Sequence, residues 1–248
     1  MGRPNDAYPD FRYAPNISED PDAYEVENAA LDPDGYLLRA MRELADWRAA
    51  TIVDLGCGTG FWLPIYAADA ARVIGVEPDP VLLDRARTRM AGCRGVEVLA
   101  GSAEHLPLAT ASVELVHARF AYFFPPAVDA GLVEALRVLK PGGSLVVVDN
   151  DHAWGEFAEL LRLSPTWAVG YARATDAWWR ERGAARRDVR SSWRFRTSND
   201  LERVLRIEFD AGTVNAWLAT HPGATGLTYG YTLFHVQNAT PRQGTVGA

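Results

Sequence analysis

Cysteine is scarce in this sequence. Its 248 residues include two cysteines, Cys57 and Cys93, too few for the disulfide framework of a small secreted domain or for a four-ligand zinc site. Long apolar runs are also absent, since none approaches the roughly 20 residues that a membrane-spanning helix needs. The polar residues 1–10 lack the apolar core of a signal peptide. We therefore expect a cytoplasmic protein with no membrane partner.

An excess of positive charge is missing as well. The formal net charge is −7, from 25 Lys and Arg against 32 Asp and Glu. A non-specific nucleic-acid binder needs a large basic face to hold phosphates, so we expect no nucleic-acid partner. The hydrophobic share of 48% is that of a globular protein, and the length suits one α/β domain. The oligomeric state stays open, with a homodimer as one arrangement.

Strands and helices alternate through the middle of the chain, after a helix predicted over 36–48. Short apolar runs predict five strands, over 51–55, 72–76, 96–99, 113–118 and 144–149. Helical spacing and capping residues predict the helices between them, over 61–70, 79–90 and 127–139, the last stopped by Pro-Gly-Gly. Such alternation is typical of a parallel sheet covered by helices on both faces. Ligands of such sheets bind beyond the carboxyl ends of the strands.

The two flanks depart from this pattern. Residues 1–36 are acidic and turn-rich, with prolines expected to interrupt any helix, and their tyrosines favour a flap or lid that packs on the domain. After residue 150 we predict helices over 155–163 and 173–181, a strand over 188–195, a helix from residue 198 and a strand over 227–236. Residues 37–248 are therefore interpreted as a single domain.

The most informative segment is the glycine-rich turn after the first predicted strand. It reads VDLGCGTG over residues 53–60, and its alternate glycines let a ligand approach the backbone closely. The dinucleotide fingerprint is Gly-x-Gly-x-x-Gly, so this spacing disfavours a nicotinamide-dependent oxidoreductase. Asp54 does so too, because a carboxylate beside the turn repels phosphates but can hold an ammonium group or a hydroxyl.

A second acidic residue, Glu77, ends the next predicted strand. It follows the glycines by about 20 residues, the separation at which a carboxylate receives a ribose hydroxyl in nucleoside-binding α/β folds. The plain alternative is a solvated charge at a strand end. Cys57, inside the turn, reads as a small buried residue.

Four segments together carry a resemblance to a family. They are the turn at 53–60, GVE at 75–77, GSAE at 101–104 and LKPGG at 139–143. In their order and spacing the chain resembles the bacterial, small-molecule type of class I S-adenosylmethionine-dependent methyltransferase over about residues 37–150. The resemblance implies an α/β fold with a Rossmann-like, seven-stranded, mostly parallel sheet and helices on both faces. It also implies an N-terminal flap at 1–36 and a helical insertion after the fifth strand.

The resemblance implies S-adenosylmethionine as cofactor, with S-adenosylhomocysteine as its product, bound by a cofactor-binding half at 37–150. Residues 151–248 would then be a substrate-side insertion that completes the sheet. The implied cofactor-binding residues are Asp54, Gly56, Cys57, Gly58, Gly60, Glu77, Pro78, Ser102, Ala103, Ala118 and Arg119. Ser102 stands where the family usually has Asp or Asn, so the contact with the adenine amino group would pass to a backbone carbonyl or a water.

The acceptor is expected beside the flap and the ends of the fourth and fifth strands. Predicted substrate-binding residues are Tyr8, Tyr13, Phe120, Tyr122, Asn150 and Trp154. Aromatic residues over 153–183 favour a second lid element, with core packing as the alternative.

Where the acceptor must lose a proton, His152 or Asp151 is the candidate general base. The alternatives are a half-exposed loop histidine and a helix cap. No histidine or carboxylate motif suited to a metal accompanies these residues, so no metal is predicted. His117 alternates with apolar neighbours in its strand and is expected to be a hydrogen-bonded core histidine.

The expected function is transfer of a methyl group to O, N or C of a small molecule, such as a specialised metabolite. The alternative keeps the fold and the cofactor without methyl transfer, in a pericyclase-like or binding role. Macromolecular substrates are disfavoured, because the Asn/Asp-Pro-Pro-Tyr tetrapeptide of DNA methyltransferases is missing.

Overall fold

A computed structural model describes residues 7–165 and 169–239. Its strands are β1 Thr51–Leu55, β2 Arg72–Glu77, β3 Val96–Ala100, β4 Val113–Arg119, β5 Leu139–Asn150, β6 Ala185–Arg194 and β7 Gly226–Gln237. They form one seven-stranded sheet in the order β3-β2-β1-β4-β5-β7-β6. In this order, each pair of neighbouring strands from β3 through β2, β1 and β4 to β5 is parallel, and β7 runs antiparallel to β5 and β6. The predicted mostly parallel sheet is confirmed.

Helices precede the sheet and connect its strands. They are α1 Pro15–Glu19, α2 Pro21–Ala30, α3 Tyr36–Leu44, α4 Leu63–Ala67, α5 Pro80–Arg89, α6 Asp129–Val138, α7 Glu156–Leu163, α8 Tyr171–Glu181, α9 Ser198–Glu208 and α10 Ala211–Thr220. The predicted insertion after the fifth strand consists of α7 and α8. No helix in the described part of the chain is long and apolar enough to cross a membrane.

Two apolar clusters cover the two faces of the sheet. Ile52 belongs to one cluster and Val53 to the other, because successive side chains of a strand point to opposite faces. The cluster around Ile52 is closed by α3, α4, α5, α7, α9 and α10, and the cluster around Val53 by α6 and α8. Helices therefore lie on both faces, as predicted.

The chain reverses its direction of travel across the sheet at β1. It runs from β1 outward to β2 and β3, then returns to add β4 on the other side of β1. At such a reversal the connections leave the strand ends in opposite directions, and a crevice opens beyond the carboxyl ends.

The expectation that prolines interrupt helices in residues 1–36 is wrong. Pro15 and Pro21 are the first residues of α1 and α2. A proline is tolerated there because the first N–H groups of a helix have no partner within it. The Asp20 carboxylate caps α2 by accepting the N–H of Ala23 at 2.9 Å.

Pro-Gly-Gly at 141–143 does not end a helix, which corrects a second prediction. It lies inside β5, which begins at Leu139, directly after α6. The pairing with β4 shifts from Val113 opposite Leu139 to Leu115 opposite Ser144. The segment 140–143 is therefore the longer side of a bulge.

Two helices also differ from the sequence expectation. The helix predicted over 61–70 is limited to the five residues of α4. The helix α10 was not predicted, although Asp210 caps it by accepting the N–H groups of Gly212 and Thr213. Its apolar residues show no strongly one-sided pattern, so periodicity gave no signal for this helix.

Candidate functional site

A cavity of about 680 Å³ lies at the reversal point of the sheet. Leu55, Glu77 and Arg119, the last residues of β1, β2 and β4, line it. Residues of α1, α2, α7, α9 and β7 complete its wall. Pockets of roughly 300–1,000 Å³ are the usual size for small ligands, so the cavity suits one at the place where α/β sheets bind them.

The glycine turn brings bare backbone to this cavity. Gly56 and Gly58 line it with φ angles of +70° and +56°, which favour glycine. A Cβ on Gly56 would lie 2.6 Å from the Cβ of Ala121, and one on Gly58 would lie 2.9 Å from Cδ1 of Ile17. Side chains are thus excluded at both positions by strain and by contact. Cys57, between them, is buried as expected.

Three of the eleven predicted cofactor residues do not line the cavity, namely Asp54, Gly60 and Ala118. A Cβ on Gly60 would lie 3.2 Å from the Cα of Ala86, so this glycine allows α5 to pack closely on the turn. Ala118 is fully buried within β4. The cavity is lined instead by its successor, Arg119.

Glu77 is fixed in position by two backbone donors. Its Oε2 accepts the N–H of Gly58 at 2.8 Å, and its Oε1 accepts the N–H of Asp79 at 2.9 Å. Burial raises the pKa of Glu77 to about 7, and the two N–H bonds oppose that shift. Each oxygen keeps a further lone pair for a ligand. The turn and the end of β2 are therefore one preorganised unit that can accept hydroxyl groups.

The buried Asp54 lies beside the turn and near the half-buried Arg119, with no ion pair between the two in the described part of the chain. Asp54 is 1% exposed, and its Oδ2 has no hydrogen-bond partner within residues 7–165 and 169–239. Burial raises the pKa of Asp54 to about 6, and the charge of Arg119 opposes the shift. The guanidinium carbon of Arg119 lies 3.9 Å from the ring centre of Trp62. Arg119 thus presents a positive charge to the cavity, with Asp54 behind it.

The expected burial of His117 is confirmed, but the expected hydrogen bond is not found, since neither ring nitrogen has a partner within the described residues. His117 is fully buried in β4, opposite Asp54 in the register. Burial lowers its pKa to about 3, so it stays neutral. The ring centres of Trp47 and Tyr66 lie 5.5 Å and 5.3 Å from the ring centre of His117.

The loop after β4 supplies another part of the wall. Tyr122 of this loop lines the cavity. Three of the predicted cofactor-binding residues line it nearby, namely Pro78, Ser102 and Ala103. The Tyr122 hydroxyl donates to Oε1 of Glu104 at 2.7 Å and accepts the N–H of Gly131 at 3.1 Å. These bonds hold a loop in which Phe120 and Tyr122 have positive φ angles of 49° and 55°.

A further part of the wall was not anticipated from the sequence. Glu27 of α2 and Glu208 at the end of α9 line the cavity, and their carboxyl groups are close enough for each to shift the pKa of the other. Nδ2 of Asn16 donates to Oε1 of Glu208 at 2.6 Å. Burial raises the pKa of both glutamates. No motif or spacing could have found this pair, since its members lie on helices far apart in the chain.

Four of the six predicted substrate-binding residues line the cavity, namely Tyr13, Phe120, Tyr122 and Asn150. Tyr8 and Trp154 do not. Within the described residues of the predicted lid at 153–183, the cavity lining includes only Phe157. Trp179, for example, is 1% exposed and stacks on Phe234 at 5.2 Å. Core packing therefore explains this aromatic residue.

The structure does not bring His152 and Asp151 to the large cavity. Both line a separate cavity of about 80 Å³, together with Asp149 and Asp176. Oδ1 of Asp151 accepts the N–H of Ala153 at 2.8 Å in the loop before α7, and it does not cap that helix, whose N-cap is Gly155. Burial lowers the pKa of His152. Neither residue is therefore placed where it could take a proton from a ligand of the large cavity.

The described lining of the large cavity is acidic. Its carboxyl-bearing residues are Asp10, Glu27, Glu77, Glu104 and Glu208, against the guanidinium groups of Arg12 and Arg119. Arg12 is exposed and donates to the carbonyls of Pro9 and Phe11. In the part of the chain that the structure describes, no group of three or more His, Cys, Asp or Glu is arranged to hold a metal.

Comparison with known proteins points to one family. The family model described as a methyltransferase domain matches residues 52–143. The malonyl-[acyl-carrier protein] O-methyltransferase of Methylococcus capsulatus is 32% identical over 181 residues, which are 72% of this chain and 60% of that protein. The ubiquinone/menaquinone biosynthesis C-methyltransferase of Rubrivivax gelatinosus is 37% identical over 117 residues, 47% of this chain and 46% of that protein.

These matches are partial in length. The chain spans about half to three fifths of the curated relatives it matches. Among solved structures, the YcgJ protein of Bacillus subtilis superimposes with a TM-score of 0.56 at 20% identity, over 82% of this chain and 97% of that protein. At that identity the likeness shows the fold alone. The region that the family model matches, residues 52–143, contains the glycine turn and Glu77.

Proposed function

Because the chain belongs to the class I S-adenosylmethionine-dependent methyltransferase family, we propose that it transfers a methyl group from S-adenosylmethionine to a small molecule. The observation that carries the proposal is the large cavity itself, in which the glycine turn and Glu77 share one space with the wall formed by α1, α2, α7, α9 and β7. That space can hold a cofactor and an acceptor side by side.

The residues present fit the cofactor. The Glu77 carboxylate, fixed by two backbone donors, is suited to two ribose hydroxyls. The turn around Gly58 lets the ligand approach the backbone closely. Arg119 is suited to the carboxylate of the methionine part, and Asp54, which does not line the cavity, places a negative charge near Arg119. The bound cofactor supplies an activated methyl group on a sulfonium.

The chain's own contribution is alignment and exclusion of water. Holding two reactants in line can remove roughly 7–11 kcal/mol of a barrier. The helix α2 is tied over the glycine turn, because Glu25 accepts a hydrogen bond from Thr59 and pairs with Arg89 at 2.6 Å. Ile17 of α1 covers Gly58. These contacts would close the cavity around the reacting atoms.

The acceptor atom is proposed as O, N or C. The relatives described above are named for an O-methylation of a malonyl-carrier protein and a C-methylation in quinone biosynthesis, which leaves the chemistry open for this chain. A cavity closed by two short helices supports a small acceptor. His152 and Asp151 have no role in this proposal, because they line the other cavity.

Calorimetric titration with S-adenosylhomocysteine tests the proposal, with NAD⁺ as control. We expect micromolar binding of S-adenosylhomocysteine alone, followed by transfer of labelled methyl groups from S-adenosylmethionine to members of an acceptor panel. Binding of NAD⁺ in its place would overturn the cofactor assignment. Tight binding of S-adenosylhomocysteine with no transfer to any acceptor would support a role without methyl transfer.

A further inference from the structure

The proposed function leaves two acidic side chains of the cavity wall without a task, the buried Glu27 and the half-buried Glu208. Glu27 is 6% exposed and lines the large cavity. Its Oε2 has no hydrogen-bond partner in the described part of the chain. A buried carboxylate oxygen without a donor is costly unless a ligand supplies one. Glu27 therefore indicates a ligand group that donates a proton or carries positive charge.

Glu208 strengthens this indication. It lies beside Glu27 in the wall of the cavity, and Asn16 holds it in place through a 2.6 Å bond. Two carboxyl groups enclosed side by side share one proton, because both cannot stay ionised without a counter-ion. The pair then carries one negative charge. In the described chain, neither glutamate forms an ion pair with Lys, Arg or His, so the charge is available to a ligand.

Aromatic rings surround the same part of the wall. Tyr24, Phe157 and Tyr229 line the cavity with the glutamates. The Tyr229 hydroxyl donates to Oδ1 of Asn150, so its ring is fixed. Carboxylates combined with aromatic faces are a typical environment for an ammonium group.

We propose that Glu27 and Glu208 form the acceptor subsite and that its ligand is a basic amine, whose nitrogen receives the methyl group. The inference rests on the proposed function. A carboxylate acceptor would be repelled by this pair and by the other acidic residues of the lining, Asp10, Glu77 and Glu104. A neutral alcohol would bind without using the negative charge.

The pair can also accept the proton that a bound ammonium must lose before its nitrogen is methylated. The proton passes from nitrogen to the ionised carboxylate, which leaves both glutamates neutral. The freed lone pair of the nitrogen forms the bond to the methyl carbon, and the carbon–sulfur bond breaks with its electron pair left on sulfur. The methylated nitrogen then carries the positive charge that the sulfonium has lost.

The test compares three compounds that differ only in their polar group. Phenethylamine, phenethyl alcohol and phenylacetate are titrated calorimetrically into protein saturated with S-adenosylhomocysteine. We expect the amine to bind at least about tenfold more tightly than the alcohol, and the phenylacetate most weakly. Alcohol or phenylacetate binding as tightly as the amine would overturn the inference.

One isosteric double variant and one control locate the effect. Because the pair carries a single negative charge, which either glutamate alone would keep, Glu27→Gln and Glu208→Gln are introduced together. This double variant keeps the shape, removes the charge and should abolish the preference for the amine. Glu202→Gln changes a residue on the same helix as Glu208, but the Glu202 side chain pairs with Arg206 at the surface, so this variant should keep the preference. Affinity for S-adenosylhomocysteine should change by less than about twofold in both variants. A preference for the amine that survives in the double variant contradicts the assignment.

Methyl transfer separates this inference from the function on which it rests. A panel of primary and secondary amines, phenols and carboxylic acids is offered with labelled S-adenosylmethionine. Transfer to amines supports both proposals. Transfer to phenols or acids but to no amine overturns the amine subsite and leaves the methyltransferase standing. Failure to bind S-adenosylhomocysteine overturns the proposed function itself.

Discussion

The two cavities share one wall residue and differ in nearly everything else. Asn150, the last residue of β5, lines both, whereas Asp149 and Asp151 line only the smaller one. The volumes are about 680 Å³ and about 80 Å³, so the smaller has room for a few waters. Consecutive side chains at a strand end can therefore belong to different sites, because they alternate between the two faces of the sheet.

Buried carboxyls occur in both cavities, and their pKa values do not tell the cavities apart. Burial raises the pKa of Asp149 and of Glu77 to about 7 in each case. Their hydrogen bonds differ, since Glu77 accepts two N–H groups, whereas Asp149 accepts, among the residues the structure describes, only that of Asn150, at 2.7 Å. Glu77 is buried in an orientation that lets its carboxylate accept hydrogen bonds from a ligand. Asp149 is buried beside a cavity that is too small for a ligand.

Asp149→Asn should have the largest effect, and it should be on stability. The folded-state pKa of Asp149 lies near 7, above its ordinary 3.8, so its ionisation destabilises the fold progressively as pH rises between these values. We expect the variant to be more stable at pH 8 by on the order of 2–4 kcal/mol, because an uncharged amide replaces a buried carboxylate.

Urea unfolding of both proteins at pH 5 and pH 8 measures this effect. The stability difference should grow with pH, and affinity for S-adenosylhomocysteine should not change. A variant that is less stable at pH 8 would mean that Asp149 has a charged partner in the folded protein.

Glu77→Ala should act on binding instead. It removes an acceptor for the ribose hydroxyls, so we expect the affinity for S-adenosylhomocysteine to fall by about 1.5–3 kcal/mol. Glu97→Ala on the neighbouring strand, where the side chain pairs with Arg72 at the surface, is the matched control. Calorimetry on both variants gives the comparison, with thermal unfolding as a check on the fold. An unchanged dissociation constant would remove Glu77 from the cofactor site.

His152→Gln and Asp151→Asn should have the smallest effect on methyl transfer. Both side chains line the small cavity, so kcat on any accepted substrate should stay within about twofold. Steady-state rates at saturating S-adenosylmethionine measure this. A fall in kcat of tenfold or more, with cofactor affinity unchanged, would restore the general-base prediction and remove the functional distinction between the cavities.

Residues that act within one short segment could be predicted, and those assembled from several segments could not. Gly56, Gly58 and Glu77 reach the cavity because the turn and the end of β2 are held together locally. Trp154 and His152 have residue types suited to a site, but their orientation depends on α7, α8 and β7. Glu27 and Glu208 carry no local signal at all.

The sequence by itself determined the alternating α/β sheet and the glycine turn with Glu77, because these depend on periodicity and on contacts between neighbouring segments. Only the tertiary structure decided which polar residues face the large cavity. Packing of α2 against α9 buries Glu27 beside Glu208, and the pleat of β5 turns Asp149 and Asp151 away from it. A polar side chain becomes part of a site only when elements that are distant in the chain pack around it. The residue type alone does not determine that packing.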